Sequence, residues 1–154
     1  GKVIRLGADI IVNRGNAATW DKYVPKFEWT PIGQSIAFAG TFDGSDPKTG
    51  VIHTISGIYL NTSTKTTGLF AFTADGSSIQ NLKLTNSYFY SSAGRVGSIV
   101  GQLRGTINTV YSDATILASK ARSGGLIGMA YGTKVSMKNC WFAGNITNTS
   151  KPYN

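Results

Sequence analysis

Apolar and polar positions follow one another along this chain in short blocks that can be laid over each other. Ile79-Gln80-Asn81-Leu82-Lys83-Leu84, Ile107-Asn108-Thr109-Val110-Tyr111-Ser112 and Met137-Lys138-Asn139-Cys140-Trp141-Phe142 share one order: apolar, polar, Asn or Thr, apolar, variable, then mostly apolar. Each follows a small-residue motif: Gly68-Leu69-Phe70-Ala71, Gly97-Ser98-Ile99-Val100-Gly101 and Gly124-Gly125-Leu126-Ile127-Gly128. The blocks recur about every 28 to 30 residues, in the window that signals a solenoid. Ile55-Ser56-Gly57-Ile58-Tyr59-Leu60 fits as an earlier copy with a shorter offset. No two-residue hairpin turn joins strands across the repeats. The pattern therefore predicts an all-β chain, a right-handed parallel β-helix of about five coils, with the hand taken from the general rule for parallel crossovers.

Like positions in successive coils then stack about 4.8 Å apart. Three inward columns are expected from the blocks: Ile55, Ile79, Ile107 and Met137; Ile58, Leu82, Val110 and Cys140; Leu60, Leu84, Ser112 and Phe142, where Ser112 is the polar exception. The Gly-rich motif supplies a fourth, Leu69, Ile99 and Leu126. Two outward columns are candidates for binding. Tyr59, Lys83, Tyr111 and Trp141 form an aromatic stripe broken by one lysine, suited to sugar rings or a protein partner, with Lys83 placed for a cation–π contact. Lys65, Arg95 and Arg122, beside Thr62, Ser92 and Ser119, form a basic row suited to a sulfate, phosphate or carboxylate. Against these stand plainer readings: like side chains stacking for stability, and solvated charges.

The whole chain, 1–154, reads as one domain. Ala8-Asp9-Ile10-Ile11-Val12 is a plausible first strand. Residues 13–26 are an irregular insertion carrying Trp20 and Tyr23, expected to cap the first end, and 16–23 is the only stretch with helical character. Clear repeats run over 52–146. The tail, 147–154, is too short to cover the last coil, so that end is expected to meet a neighbouring domain, further coils or a second copy.

Charged residues make up 14% of the chain, well under the roughly 25% of an ordinary soluble domain, and 19 glycines suit strands with many tight corners. The net charge of +8 favours anionic partners. No run of consecutive basic residues suggests a nuclear signal or a disordered arm, and nucleic acid is not the partner expected. A single cysteine, Cys140, rules out an internal disulfide and a cysteine metal cluster, and its column makes it a core residue. No segment is long and apolar enough to span a membrane as a helix. The chain opens on Gly-Lys without a signal peptide, as expected of a mature fragment or an excised domain.

Leu6-Gly7-Ala8-Asp9-Ile10, Trp29-Thr30-Pro31-Ile32-Gly33, Phe38-Ala39-Gly40-Thr41-Phe42-Asp43-Gly44, His53-Thr54-Ile55-Ser56-Gly57-Ile58 and Gly68-Leu69-Phe70, with Gly124 to Gly128 and Asn139-Cys140, together resemble bacterial surface proteins built from GLUG repeats. The resemblance covers most of the chain outside the insertion and the tail. It implies a right-handed parallel β-helix, secreted or attached to the cell wall, of the kind found in adhesin-like proteins and beside the catalytic part of IgA-cleaving metallopeptidases. The chain departs from the pattern in three places. Residues 45–51 lengthen the turn before His53, Ala71 replaces the closing Gly of the first repeat, and Ser98 replaces a Gly of the second.

Catalytic chemistry is thinly represented. The seven acids, Asp9, Asp21, Glu28, Asp43, Asp46, Asp75 and Asp113, fall in different coils, whereas glycoside hydrolysis needs two facing carboxylates. Asp43 and Asp46 are a weak Ca²⁺ candidate, and Asx-turn roles suit Asp-Gly and Asp-Pro better. His53, the only histidine, occupies a structural position of the repeat pattern. No cofactor is expected. The function expected is a non-catalytic, extracellular, adhesin-like binding domain on a bacterial cell surface, presenting its columns to a surface glycan, an anionic polymer or a host protein. A stalk or spacer of a larger surface protein or peptidase is the alternative. A polysaccharide-degrading β-helix enzyme is the weaker one.

Overall fold

The computed structural model describes residues 2–63, 66–119 and 122–149. The chain winds as a parallel β-solenoid. Its first level holds β1 (Val3–Arg5) and β2 (Ile10–Ile11). The second holds β3 (Thr41–Asp43), β4 (Thr54–Ser56), β5 (Tyr59–Thr62) and β6 (Phe70–Phe72). The third holds β7 (Ser78–Thr85), β8 (Tyr88–Ser91), β9 (Arg95–Val96) and β10 (Val100–Leu103); the fourth holds β11 (Thr106–Ser112), β12 (Thr115–Ala118), β13 (Arg122–Ser123) and β14 (Ile127–Ala130). The last holds β15 (Ser136–Lys138), β16 (Trp141–Phe142) and β17 (Asn145–Asn148).

Each strand pairs in parallel with its equivalent one level away, giving the orders β1-β3-β7-β11-β15, β5-β8-β12-β17 and β6-β10-β14. Past the insertion the first level continues through Ile32 and Phe38, which bridge Phe70 and Thr73 in parallel, and the five coils expected resolve into about three turns.

The side chains that point into the stack explain why these segments become strands. Ile4, Phe42, Ile79, Ile107 and Met137 are successive partners in one column, and Ile10, Ile55, Leu84, Ser112 and Phe142 in another. Burial is complete in the middle, where Ile79, Leu82, Leu84, Phe89 and Ile99 are fully enclosed, and it fades at both ends. Ser112 is tolerated inside its apolar column because its hydroxyl accepts a hydrogen bond from Ala114 N at 3.2 Å.

The Gly-rich column stacks as expected. Leu69 N donates to Ser98 O, Ile99 N donates to Leu126 O, and the three apolar residues Leu69, Ile99 and Leu126 are buried. A Cβ on Gly97 would meet the Gly128 amide and the Val100 carbonyl of the close-packed backbone, so the motif needs glycine there. Ser98, which stands where the repeat pattern has glycine, is accommodated by donating its hydroxyl to Gly125 O at 2.6 Å.

The register of the first copy differs from expectation. Ile79 pairs with Phe42, while Ile55 pairs with Leu84, not with Ile79. Ile58 is likewise not in the Leu82 column, and Leu60 pairs with Phe89, in the column that continues to Ile116 and Ile146. The cause is the lengthened turn. Residues 45–52 bulge out between β3 and β4, closed by an antiparallel Ser45–Ile52 bridge, so one side of this coil is split in two.

The insertion is anchored on the flank of the stack, and its return arm, Pro25 to Phe27, lies beside Ile11 and Val12. Asn13 closes its base, donating to Phe27 O and Gly57 O and accepting from Phe27 N. A 3-10 turn over Ala17–Thr19 follows, and Asn86, two levels on, accepts from Ala17 N and donates to Gly15 O. Trp20 is buried edge-on against Tyr59, ring centroids 6.1 Å apart. The insertion thus lies along the flank of the β5–β8–β12 sheet. At the first end Ile4, Ile10 and Ile11 stay about half exposed. Of the tail expected to leave the other end open, residues 150–154 lie outside the described ones.

Candidate functional site

The column that runs outward beside the Leu84 column is the best-formed surface feature. Lys83, Tyr111 and Trp141 are in-register partners on β7, β11 and β16. Their exposure follows from strand alternation: Leu82 and Leu84, on either side of Lys83, face the core. Tyr111 and Trp141 meet edge to face with centroids 5.4 Å apart, and Trp141 remains 63% exposed.

Tyr59 does not belong to this column. It is buried, pairs with Tyr88 and stacks on it with centroids 5.6 Å apart beneath Trp20. Burial, followed by the nearby Asp21, pushes the Tyr88 phenol up to about 12. The place assigned to Tyr59 is taken by Thr54, the partner of Lys83.

Above Thr54 the stripe ends in a polar cluster. Asp9 accepts from Thr54 N at 2.9 Å and lies 3.1 Å from His53 Nδ1. The Thr54 amide first, and the His53 contact second, hold the Asp9 carboxyl below its ordinary range. His53 is thereby tied to the β4 strand end, a structural position. From Asp9 to Trp141 the stripe crosses four steps, on the order of 19 Å, and offers a carboxylate, a hydroxyl, an ammonium, a phenol and an indole.

The expected cation–π contact of Lys83 is not among those formed by the described residues, which include Lys26 over Phe27 and Arg104 over Tyr131. The basic row is only partly assembled. Arg95 and Arg122 are partners on β9 and β13, and both guanidinium groups turn to Met129, at 2.9 and 3.4 Å from its sulfur. Lys65 lies outside the described residues. Among the described residues neither arginine has a carboxylate partner. Of the hydroxyl neighbours, Ser92 and Ser119 stay level, next to the Ser91–Ala118 pair, whereas Thr62 pairs with Ser91 rather than Ser92.

Asp43 and Asp46 are both occupied by protein donors. Asp43 is buried and accepts from Ser45 N, Ser45 Oγ, Asn81 Nδ2 and Gln80 Nε2, with Arg5 at 3.1 Å. Burial by itself would raise its carboxyl, and these donors outweigh that and bring it to about 2. Asp46 accepts from Lys48 N and Thr49 N. Both are Asx turns that shape the bulged loop, and a Ca²⁺ ion would have to displace these donors. Cys140 Sγ lies 2.9 Å from Lys138 O, and burial pushes its thiol up, away from the reactive thiolate.

One feature of the columns escaped the sequence reading. Asn81, Thr109 and Asn139, aligned by the register of their neighbours, all adopt left-handed backbone with φ of 52, 56 and 51°. They turn the corner inside each long strand and so separate the Ile79 column from the Leu82 column. The signal was present as the recurrent Asn-or-Thr slot, since asparagine is the residue that best tolerates this conformation after glycine.

No helix among the described residues is long and apolar enough to cross a membrane. A scan against protein-family models, a search of curated proteins and a search of solved structures each found no match.

Proposed function

We propose that this chain is a non-catalytic binding domain of a bacterial surface protein that works outside the cell and holds a surface glycan or related polymer along the Lys83–Tyr111–Trp141 stripe. The observation that carries this reading is the stripe itself: side chains of three kinds in register, the indole largely exposed and edged by a phenol. An aromatic face suits the apolar face of a sugar ring, and the neighbouring ammonium and hydroxyl suit its polar groups. The resemblance of the chain's motifs to GLUG-repeat proteins, adhesin-like members among them, supports the extracellular setting.

A glycan array probed at low and at moderate salt tests the reading. Trp141→Ala should weaken the best ligand by about 3- to 10-fold, the range of one aromatic contact. Lys83→Gln should flatten the salt dependence if that ligand is anionic. An array without a retained glycan, or a ligand that ignores Trp141→Ala, would overturn it.

A second reading, a stalk or spacer that meets a neighbouring domain or further coils, is favoured by a different observation. The strands at both axial ends, β1 and β2 at one and β15, β16 and β17 at the other, are sheet edges.

A further inference from the structure

We infer that copies of this chain associate head to tail, the first level of one copy seating on the last level of the next. Three observations converge on a second copy as the occupant of these ends. Both ends expose apolar side chains: Ile4 is 49%, Ile10 43% and Met137 56% exposed, and Phe142 is half-buried.

These residues are also the terminal members of shared columns. Ile4 begins the column that Met137 ends, and Ile10 begins the column that Phe142 ends. One further step along the axis therefore places Ile4 of the next copy over Met137 and Ile10 over Phe142, the same stacking that buries Phe42 on Ile79 and Ile55 on Leu84.

The backbone agrees with the side chains. β1 and β2 are the free edges of the sheet whose other free edges are β15 and β16, and every pairing in it is parallel. A copy advanced along the axis presents its strands in that same sense. A two-fold axis across the last level would instead put Met137 against Met137 and could align no more than one of the sheets at a time. β14 stops one level short of β15, so the junction rests on this sheet and its neighbour.

Such a contact is heterologous and does not close on itself, so it builds linear assemblies, and it satisfies edges that otherwise invite disordered pairing.

The junction has a distinctive salt response. Arg5 begins the column Asp43, Gln80, Asn108 and Lys138, so stacking brings Arg5 of one copy beside Lys138 of the other. Like charges on an apolar contact make association strengthen as salt rises, opposite in sign to the loss of an anionic ligand. The inference stands apart from the glycan reading, and either can fail alone.

Sedimentation velocity over a concentration series tests it. The parent chain should show a reversible rise in sedimentation coefficient with protein concentration, larger at high salt. Ile4→Asp and Met137→Asp, at sites exposed in the single chain and checked by circular dichroism for retained fold, should each weaken association by at least roughly tenfold. Mixed in equal amounts they should form a 1:1 dimer and nothing longer, because one keeps a working tail and the other a working head. A parent that stays monomeric at high concentration and salt would overturn the inference. So would a variant that associates as well as the parent, or a mixture that stays monomeric.

Discussion

Replacing Asp43 by Asn probes the most heavily hydrogen-bonded side chain of the second coil. The carboxylate takes four donors from Ser45, Asn81 and Gln80 and lies 3.1 Å from Arg5. Burial alone would raise its carboxyl, but the donors prevail and lower it from 3.8 to about 2. A carboxyl whose value is depressed by folding stabilises the fold fully above its unfolded value, and that contribution disappears as pH falls through the folded one. At about 1.4 kcal/mol per unit, the gap makes about 2 kcal/mol at neutral pH, most of it gone by pH 2.

Asp43→Asn removes the titrating group and turns an amide toward Gln80 and Arg5. Urea unfolding of parent and variant at pH 7, 4 and 2 gives the stability gap between them at each pH, and contributions from the other acids cancel in that gap. The gap should be about 2 kcal/mol larger at pH 7 than at pH 2, with the change concentrated below about pH 4. A gap that stays constant with pH, or grows on acidification, would show that Asp43 is not held ionised by these donors. The half-exposed Arg5 adds little to this sum, since solvent screens it.

Two further outcomes follow from the columns. Thr109→Asn should raise stability by about 1 kcal/mol, because a β-branched residue is the costlier occupant of left-handed backbone and its column neighbours are already Asn81 and Asn139; a lower melting temperature would mean that the Thr109 contact to Asn108 Oδ1 at 3.3 Å outweighs the strain. Leu82→Asp should cost several kcal/mol, since Leu82 is fully enclosed and the new carboxylate would lack a partner; a thermal melt close to the parent's would place Leu82 outside the core.

What was legible in the sequence is what each coil repeats. Ile79, Ile107 and Met137 stand in one column as their pattern required, as do Leu69, Ile99 and Leu126. A solenoid converts sequence period directly into spatial register, so wherever the period is constant the columns can be counted off. Burial along a column could not be counted in the same way. Met137 has the same pattern as Ile79 yet is 56% exposed, because enclosure depends on having a coil on both sides. The Asn13 and Asn86 clamps were not legible either, since each is a single side chain that acts once and repeats nowhere.

The one misread coil shows how strongly a solenoid's surface depends on its loops. The bulge at residues 45–52 between β3 and β4 shifts β4 and β5 away from the alignment their pattern suggests, and the expected register returns at Leu69, which stacks on Ile99. Tyr59 consequently leaves the exposed stripe and joins Tyr88 and Trp20 in a buried cluster. The same shift brings Thr54 and, through it, Asp9 and His53 to the head of the stripe. The surface that results is aromatic at the Trp141 end and polar and ionic at the Asp9 end. A ligand lying along it, as proposed, would meet apolar and hydrogen-bonding groups in a fixed order, so the stripe would sense direction as well as composition. A symmetric row of four aromatic residues would bind a uniform polymer equally in either sense. The graded stripe would favour one orientation of such a polymer, and the bulged loop at residues 45–52 sets the order of its groups from outside the stripe itself.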